Sequence, residues 1–172
     1  MDEPVLGPDF AGRLDIGTEE AVPADAAETI RRLVTGQPFG VLCTQGGGQP
    51  YGSVVAFAFH DDLTGFVFAT PKASRKYRLL TECDHVALVV DSRSAFPDEL
   101  MNVEAITVTG RARELSPGAV LDGWAALLIA RHPYLRTFVD APSTALFRVD
   151  VVRFFHVTRF QEVWQWIPTE AG

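Results

Sequence analysis

The chain has 172 residues, 47% of them apolar, with 15 Lys+Arg against 22 Asp+Glu and a formal net charge of −7. A chain of this length argues for one domain that buries roughly 70% of its unfolded surface without a disulfide or metal staple, and the apolar content is that of a folded protein. The acidic balance argues against a duplex nucleic-acid surface and against a polybasic membrane-surface protein, since both need a basic face, but it leaves room for a small local basic site for one anion.

The N-terminal Met1-Asp2-Glu3-Pro4 has no basic or apolar leader pattern, and apolar runs such as 54–59 and 125–130 are far short of the ~18 residues that span a bilayer. The expectation is a cytoplasmic protein with no membrane partner. Cys43 and Cys83 are isolated in apolar surroundings without CxxC spacing, which suits two buried free thiols in a reducing compartment.

In chain order, 1–22 carries Pro4, Gly7, Pro8, Gly12 and Gly17 with poor periodicity. It reads as an irregular arm ahead of a single domain over 23–172. Asp25 and Glu28 have capping-box spacing, Ile30, Leu33 and Val34 follow at helical intervals, and Gly36 suits a C-cap. A short helix over 25–35 is predicted. Strand patterns at 39–44 and 51–60 flank a Gly-rich hairpin turn, and a second turn at 61–65 leads to a strand at 66–70. A helix is predicted over 72–82 and a buried strand over 85–91. The stretch 104–115 alternates: Ile106, Val108, Gly110 and Ala112 face one way, and Thr107, Thr109, Arg111 and Arg113 the other. Ser116 and Pro117 open a predicted helix over 117–131, which His132-Pro133 ends. A long strand over 145–158 and a short one over 162–167 complete the set. Mostly hairpin-linked strands with a few helices suggest a small antiparallel barrel carrying peripheral helices.

The strongest chemical signal lies in 66–80. Four of the fifteen basic residues, Lys72, Arg75, Lys76 and Arg78, fall within seven positions, and the chain's only two lysines are among them. They sit at the start of a predicted helix, where free N–H groups and the positive dipole end favour an anion and disfavour cations. Ser74 adds a hydroxyl, Arg75 a bidentate fork and Lys76 a point charge, which together suit a phosphate.

With these pieces in order, the chain resembles the FMN-binding split-barrel proteins, the pyridoxamine 5′-phosphate oxidase-like family. The resemblance runs over roughly 25–166. It is carried by Gly48-Gln49-Pro50-Tyr51-Gly52-Ser53, by Phe68-Ala69-Thr70 followed by Ser74-Arg75-Lys76, by 86–91, and by Thr107-Val108-Thr109-Gly110-Arg111-Ala112. It implies a mainly β fold, a six-stranded antiparallel split β-barrel with peripheral helices, forming a homodimer with FMN at the interface. It implies that Ser74, Arg75 and Lys76 hold the FMN phosphate, with Ala69 and Thr70 at the strand end beside it. Ser53, Val54 and Val55 match the strand bordering the flavin ring, and Gln161 and Trp164 match a C-terminal segment reaching a flavin in the other subunit.

Two departures bear on the substrate. The strand matching 51–59 has no basic residue, and neither does 164–170, so pyridoxine-phosphate oxidation itself is not expected. A haem-degrading branch of the superfamily shows a run similar to Ala130-Arg131-His132-Pro133, which leaves His132 and His156 as haem-ligand candidates. Each also suits an ordinary structural role. A deazaflavin is a further alternative to FMN. The four histidines show no metal-ligand spacing, His60-Asp61-Asp62 suits turn geometry, and no catalytic acid or base stands out. The reading is a flavin-dependent oxidoreductase acting on a small molecule, or a flavin binder without turnover.

Overall fold

The computed structural model describes residues 21–159 and 162–168. Seven antiparallel strands form one sheet: β1 (Phe39–Gly46), β2 (Gln49–Phe59), β3 (Gly65–Pro71), β4 (His85–Asp91), β5 (Ala105–Glu114), β6 (Thr144–Thr158) and β7 (Glu162–Trp166). Their order is β3-β2-β1-β4-β5-β6-β7, and an additional β3–β6 pairing closes the first six into a barrel. The helices α1 (Ala26–Gly36), α2 (Arg75–Glu82), α3 (Ala119–Arg131) and α4 (Arg136–Val139) lie around it.

Strand alternation builds two apolar layers. Leu42, Val55, Phe57, Phe66, Phe68, Leu88, Ile106, Val108, Phe147 and Phe154 fill the barrel, and Ile30, Leu33 and Val34 of α1 join the same cluster. On the outer side, Ala58, Val67 and Leu146 meet Leu128 and Ile129 of α3 and Val139 of α4. β3 therefore has little polar surface, since both its faces are covered.

The β1–β2 hairpin turns on Gly47 (φ 56°) and Gly48 (φ 78°). Positive φ at both central residues matches the twist of the flanking strands and is costly for any residue with a Cβ. β6 is shared. Its first half pairs with β3, from Asp150 opposite Gly65 to Thr144 opposite Pro71. Its second half pairs with β7, from Phe154 opposite Trp166 to Thr158 opposite Glu162. β5 runs along the other edge, with a register shift at Thr109/Gly110. The extra residue there bends the strand as it passes from one partner to the other.

Several helix starts differ from the sequence reading. The Asp25 side chain makes no capping bond, and Gly36 belongs to the helix, with Gln37 as C-cap. α2 starts at Arg75, not at 72, because Ser74 takes the N-cap: its Oγ accepts from the Tyr77 N–H at 3.1 Å. α3 begins at Ala119 behind Gly118, with no side-chain cap from Ser116. The predicted arm over 1–22 lies outside the described residues, except for Ala21 and Val22.

Both cysteines are free and half-buried, and burial pushes the Cys43 thiol above its usual pKa. Among the described residues, no helix is long and apolar enough to cross a membrane.

Candidate functional site

The β3–α2 junction is the point where the sequence signal and the geometry meet. Thr70 is fully buried at the end of β3, and its hydroxyl lies 2.9 Å from the Ser74 hydroxyl. Ser74 is thus held from two sides, by Thr70 and by the helix N–H it caps. The backbone of this turn is fixed by β6 and its lead-in: Thr70 opposes Ala145, and the Lys72 N–H donates to the Ser143 carbonyl at 2.8 Å. Lys72, predicted within the helix, is instead exposed in the turn before it.

Arg75 and Lys76 leave the helix in different directions, as a step of one residue on a 3.6-residue turn requires. The Arg75 guanidinium lies 5.6 Å from the Tyr51 ring centroid, and the Lys76 amine 6.0 Å from that of Phe68. Burial pulls the Lys76 amine below the usual lysine pKa. The first turn of α2 carries no acidic residue.

Several other arginines are paired with carboxylates, and this cluster is not. Arg32, Arg93, Arg111, Arg113, Arg148 and Arg159 all reach carboxylates. Among the described residues, no carboxylate pairs with Arg75, Lys76 or Arg78. Arg75, Lys76 and Arg78 thus lie together at the start of α2 without a carboxylate, whereas Arg31, Arg131 and Arg153, which also lack one, donate to carbonyl or amide oxygens. A half-buried lysine without an acid is costly to desolvate, and an anionic ligand removes that cost.

Alternation divides the other site residues predicted from sequence. Val54 points outward and is 70% exposed, while Val55 is buried in the barrel. Ser53 shares the inward face, and its buried hydroxyl has no hydrogen-bond partner among the described residues. Ala69 packs its methyl against the outer cluster beneath α3, so only its backbone is available to the junction. Trp164 is buried, stacked on His156 at 4.5 Å and 13°. Gln161 lies outside the described residues.

Both haem-ligand candidates are buried and hydrogen-bonded through one ring nitrogen. His132 is buried, and its Nε2 lies 3.0 Å from the Phe57 carbonyl. His156 is buried with Nε2 3.3 Å from Glu104, which also takes Arg32 at 2.7 Å. Burial pulls both imidazoles below the ordinary value of 6.5, opposed for His132 by the Phe57 carbonyl and for His156 by Glu104. The unfolded chain therefore binds more protons than the folded one just below that pH, so stability is lost as pH falls through 6.5 toward the folded-state values. Urea denaturation should show the midpoint dropping between pH 7.5 and 5.5, with a smaller drop in His132→Gln and His156→Gln. A flat wild-type profile contradicts this.

Cys83, Asp84 and His85 lie within 4.8 Å of one another. Arg111 already donates to both Asp84 oxygens, at 3.1 and 3.2 Å, so the carboxylate of this group is paired with a guanidinium.

Sequence reasoning missed the wall facing α2. An open cleft of about 760 Å³ is lined by Gly46, Gly47, Gln49, Pro50 and Tyr51 of the β1–β2 hairpin and by Arg75, Arg78, Leu79 and Glu82. Gly46 permits this approach: a Cβ there lies 2.4 Å from Leu79 Cδ2. The glycine itself was the one available signal, and it reads equally well as part of a turn.

The family pattern for pyridoxamine 5′-phosphate oxidase matches residues 26–158. The chain belongs to the pyridoxamine 5′-phosphate oxidase family. Its closed barrel with outer helices is the FMN-binding split-barrel fold. Among solved structures, a haem binding protein from Mycobacterium smegmatis aligns with a TM-score of 0.75 at 19% identity, covering 86% of this chain and 60% of that one. Campylobacter jejuni ChuZ aligns with a TM-score of 0.73 at 10% identity, covering 86% and 61%. An FAD-binding protein from Mesorhizobium loti gives 0.57 at 17% identity, covering 76% and 92%. This chain spans about 60% of the length of the first two. No curated protein matches the sequence. Structural neighbours in the family thus include both haem and flavin binders, on one shared fold.

Proposed function

We propose that the chain binds FMN as a homodimer and acts as a flavin-dependent oxidoreductase on a small organic substrate. The observation that carries this reading is the unpaired Arg75–Lys76 charge beside the Thr70–Ser74 hydroxyl pair, which suits a phosphate monoester. Lys76 and Arg75 supply the charge, and Ser74 and Thr70 supply hydroxyls already oriented by each other. Bound FMN supplies the redox chemistry, a hydride transfer at its ring. The protein contributes position and a dry apolar wall. Val54, with Phe39 at 49% exposure, leaves apolar surface on the outside of the barrel, where a second copy and the flavin ring would cover it.

The haem reading has less support, because the His132 and His156 rings are both buried in the fold and present almost no surface to an iron. The test is reconstitution of purified protein with FMN, with haem and with neither, followed by absorption spectra and light scattering. Stoichiometric FMN on a dimer supports the proposal. Haem uptake with no FMN uptake, or a flavin-loaded monomer, overturns it. Turnover with a nicotinamide donor then separates an enzyme from a passive binder.

A further inference from the structure

We propose that the cleft beyond Arg75 receives a second phosphate and a planar base, so that this chain binds flavin as the dinucleotide FAD more tightly than as FMN. The inference rests on the phosphate reading above and names the form of the ligand at that same site.

One phosphate at the start of α2 engages Ser74, Arg75 and Lys76. It leaves Arg78 unused, exposed and without a carboxylate partner among the described residues. Arg78 is three residues after Arg75, so both lie on one helix face, and both line the cleft. They form a cationic row leading away from the phosphate position. A diphosphate laid along that row meets a guanidinium at each phosphate, whereas FMN meets only the first.

The opposite wall suits a base. Tyr51 and Pro50 offer flat surfaces, and the Arg75 guanidinium already sits over the Tyr51 ring. Aromatic faces stack on any nucleobase without regard to its sequence edge. Gly47 presents no side chain, and a Cβ built on it meets nothing within 4 Å. The volume of about 760 Å³ lies within the range of small-molecule and cofactor sites. Glu82 closes the far end, one turn beyond Arg78. Its charge disfavours a third phosphate there and can accept a hydrogen bond from an exocyclic amine.

Isothermal titration of the apo protein with FMN, with FAD, and with ADP added to the FMN-saturated protein tests this. The expected result is FAD binding tighter than FMN by about tenfold or more, with Arg78→Ala reducing FAD binding to the FMN value while FMN binding is unchanged. Circular dichroism confirms that the variant keeps its fold. Equal affinity for FMN and FAD overturns the proposal, as does an Arg78→Ala loss equal for both. ADP binding beside FMN also overturns it, because the base then belongs to a separate nucleotide. If neither flavin binds, the phosphate reading falls as well, which sets that failure apart from the others.

Discussion

An Arg75→Ala/Lys76→Ala double variant should lose FMN affinity by roughly 10²–10⁴-fold. The magnitude follows from hydrogen bonds to charged groups, which contribute about 1.5–3 kcal/mol each, with about 1.4 kcal/mol per tenfold change in affinity. The exposed Arg75 belongs at the lower end because water screens it, and the half-buried Lys76 at the upper end. The apo variant should melt no lower than wild type. Lys76 has no carboxylate partner to lose, and the relief of its desolvation offsets the ring contacts that Arg75 and Lys76 make with Tyr51 and Phe68. That combination distinguishes a ligand site from a structural lysine. Fluorescence titration with FMN and a thermal melt of the apo protein give both readings. Full flavin retention, or a large fall in apo stability, contradicts the assignment.

The second large effect lies in the barrel wall. Gly110→Ala should destabilise the fold by about 3 kcal/mol or more, at the upper end of overpacking costs. A Cβ at this position lies 2.5 Å from the Asp150 carbonyl oxygen and 2.6 Å from Val149 Cγ1. The first of these is backbone, held on one side by β3 and on the other by β5. It has no rotamer with which to move away. Gly110 sits at the β5–β6 register shift, where the two strands crowd as β6 changes partner. Gly52→Ala is the control: its Cβ meets only Val41 Cγ1 at 3.4 Å, and its effect should stay within about 0.5 kcal/mol. Urea denaturation of the two variants against wild type measures the difference. Equal midpoints for the two would mean that β5 and β6 approach less closely than described.

Much of the barrel was legible because its signal is local. In β5 the alternation of Ile106, Val108 and Ala112 with Thr107, Thr109 and Arg111 gave both the strand and its inward face, and burial follows it. The Gly47–Gly48 turn gave the first hairpin. The helix starts were less legible because several polar residues compete for each cap. Ser74 won over the residues before it through a bond to Thr70 on another element, and Asp25 was placed with no bond to make. The short α4 escaped notice because four residues carry no period, and Val139 is fixed by packing against the outer cluster.

The site divides in the same way. Ser74, Arg75 and Lys76 are adjacent in sequence, so their run was visible. The hairpin wall was not, since Tyr51 and Arg75 meet only through the fold. Trp164, matched through the family resemblance to a segment reaching a flavin, is set over His156 by the β6–β7 register, a neighbour that no local sequence pattern names.

The shared strand β6 also orders events in time. The turn that positions Ser74 is pinned by Ser143, Thr144 and Ala145, some seventy residues later in the chain. A nascent polypeptide leaving the ribosome exposes the basic cluster long before the segment that fixes its geometry has been synthesised. Contacts of this sequence separation form late in folding because the loop must close first. Phosphate-binding competence should therefore appear only after release of residues 143–150, so that during synthesis the chain acquires its anion grip in the same step that seals the barrel.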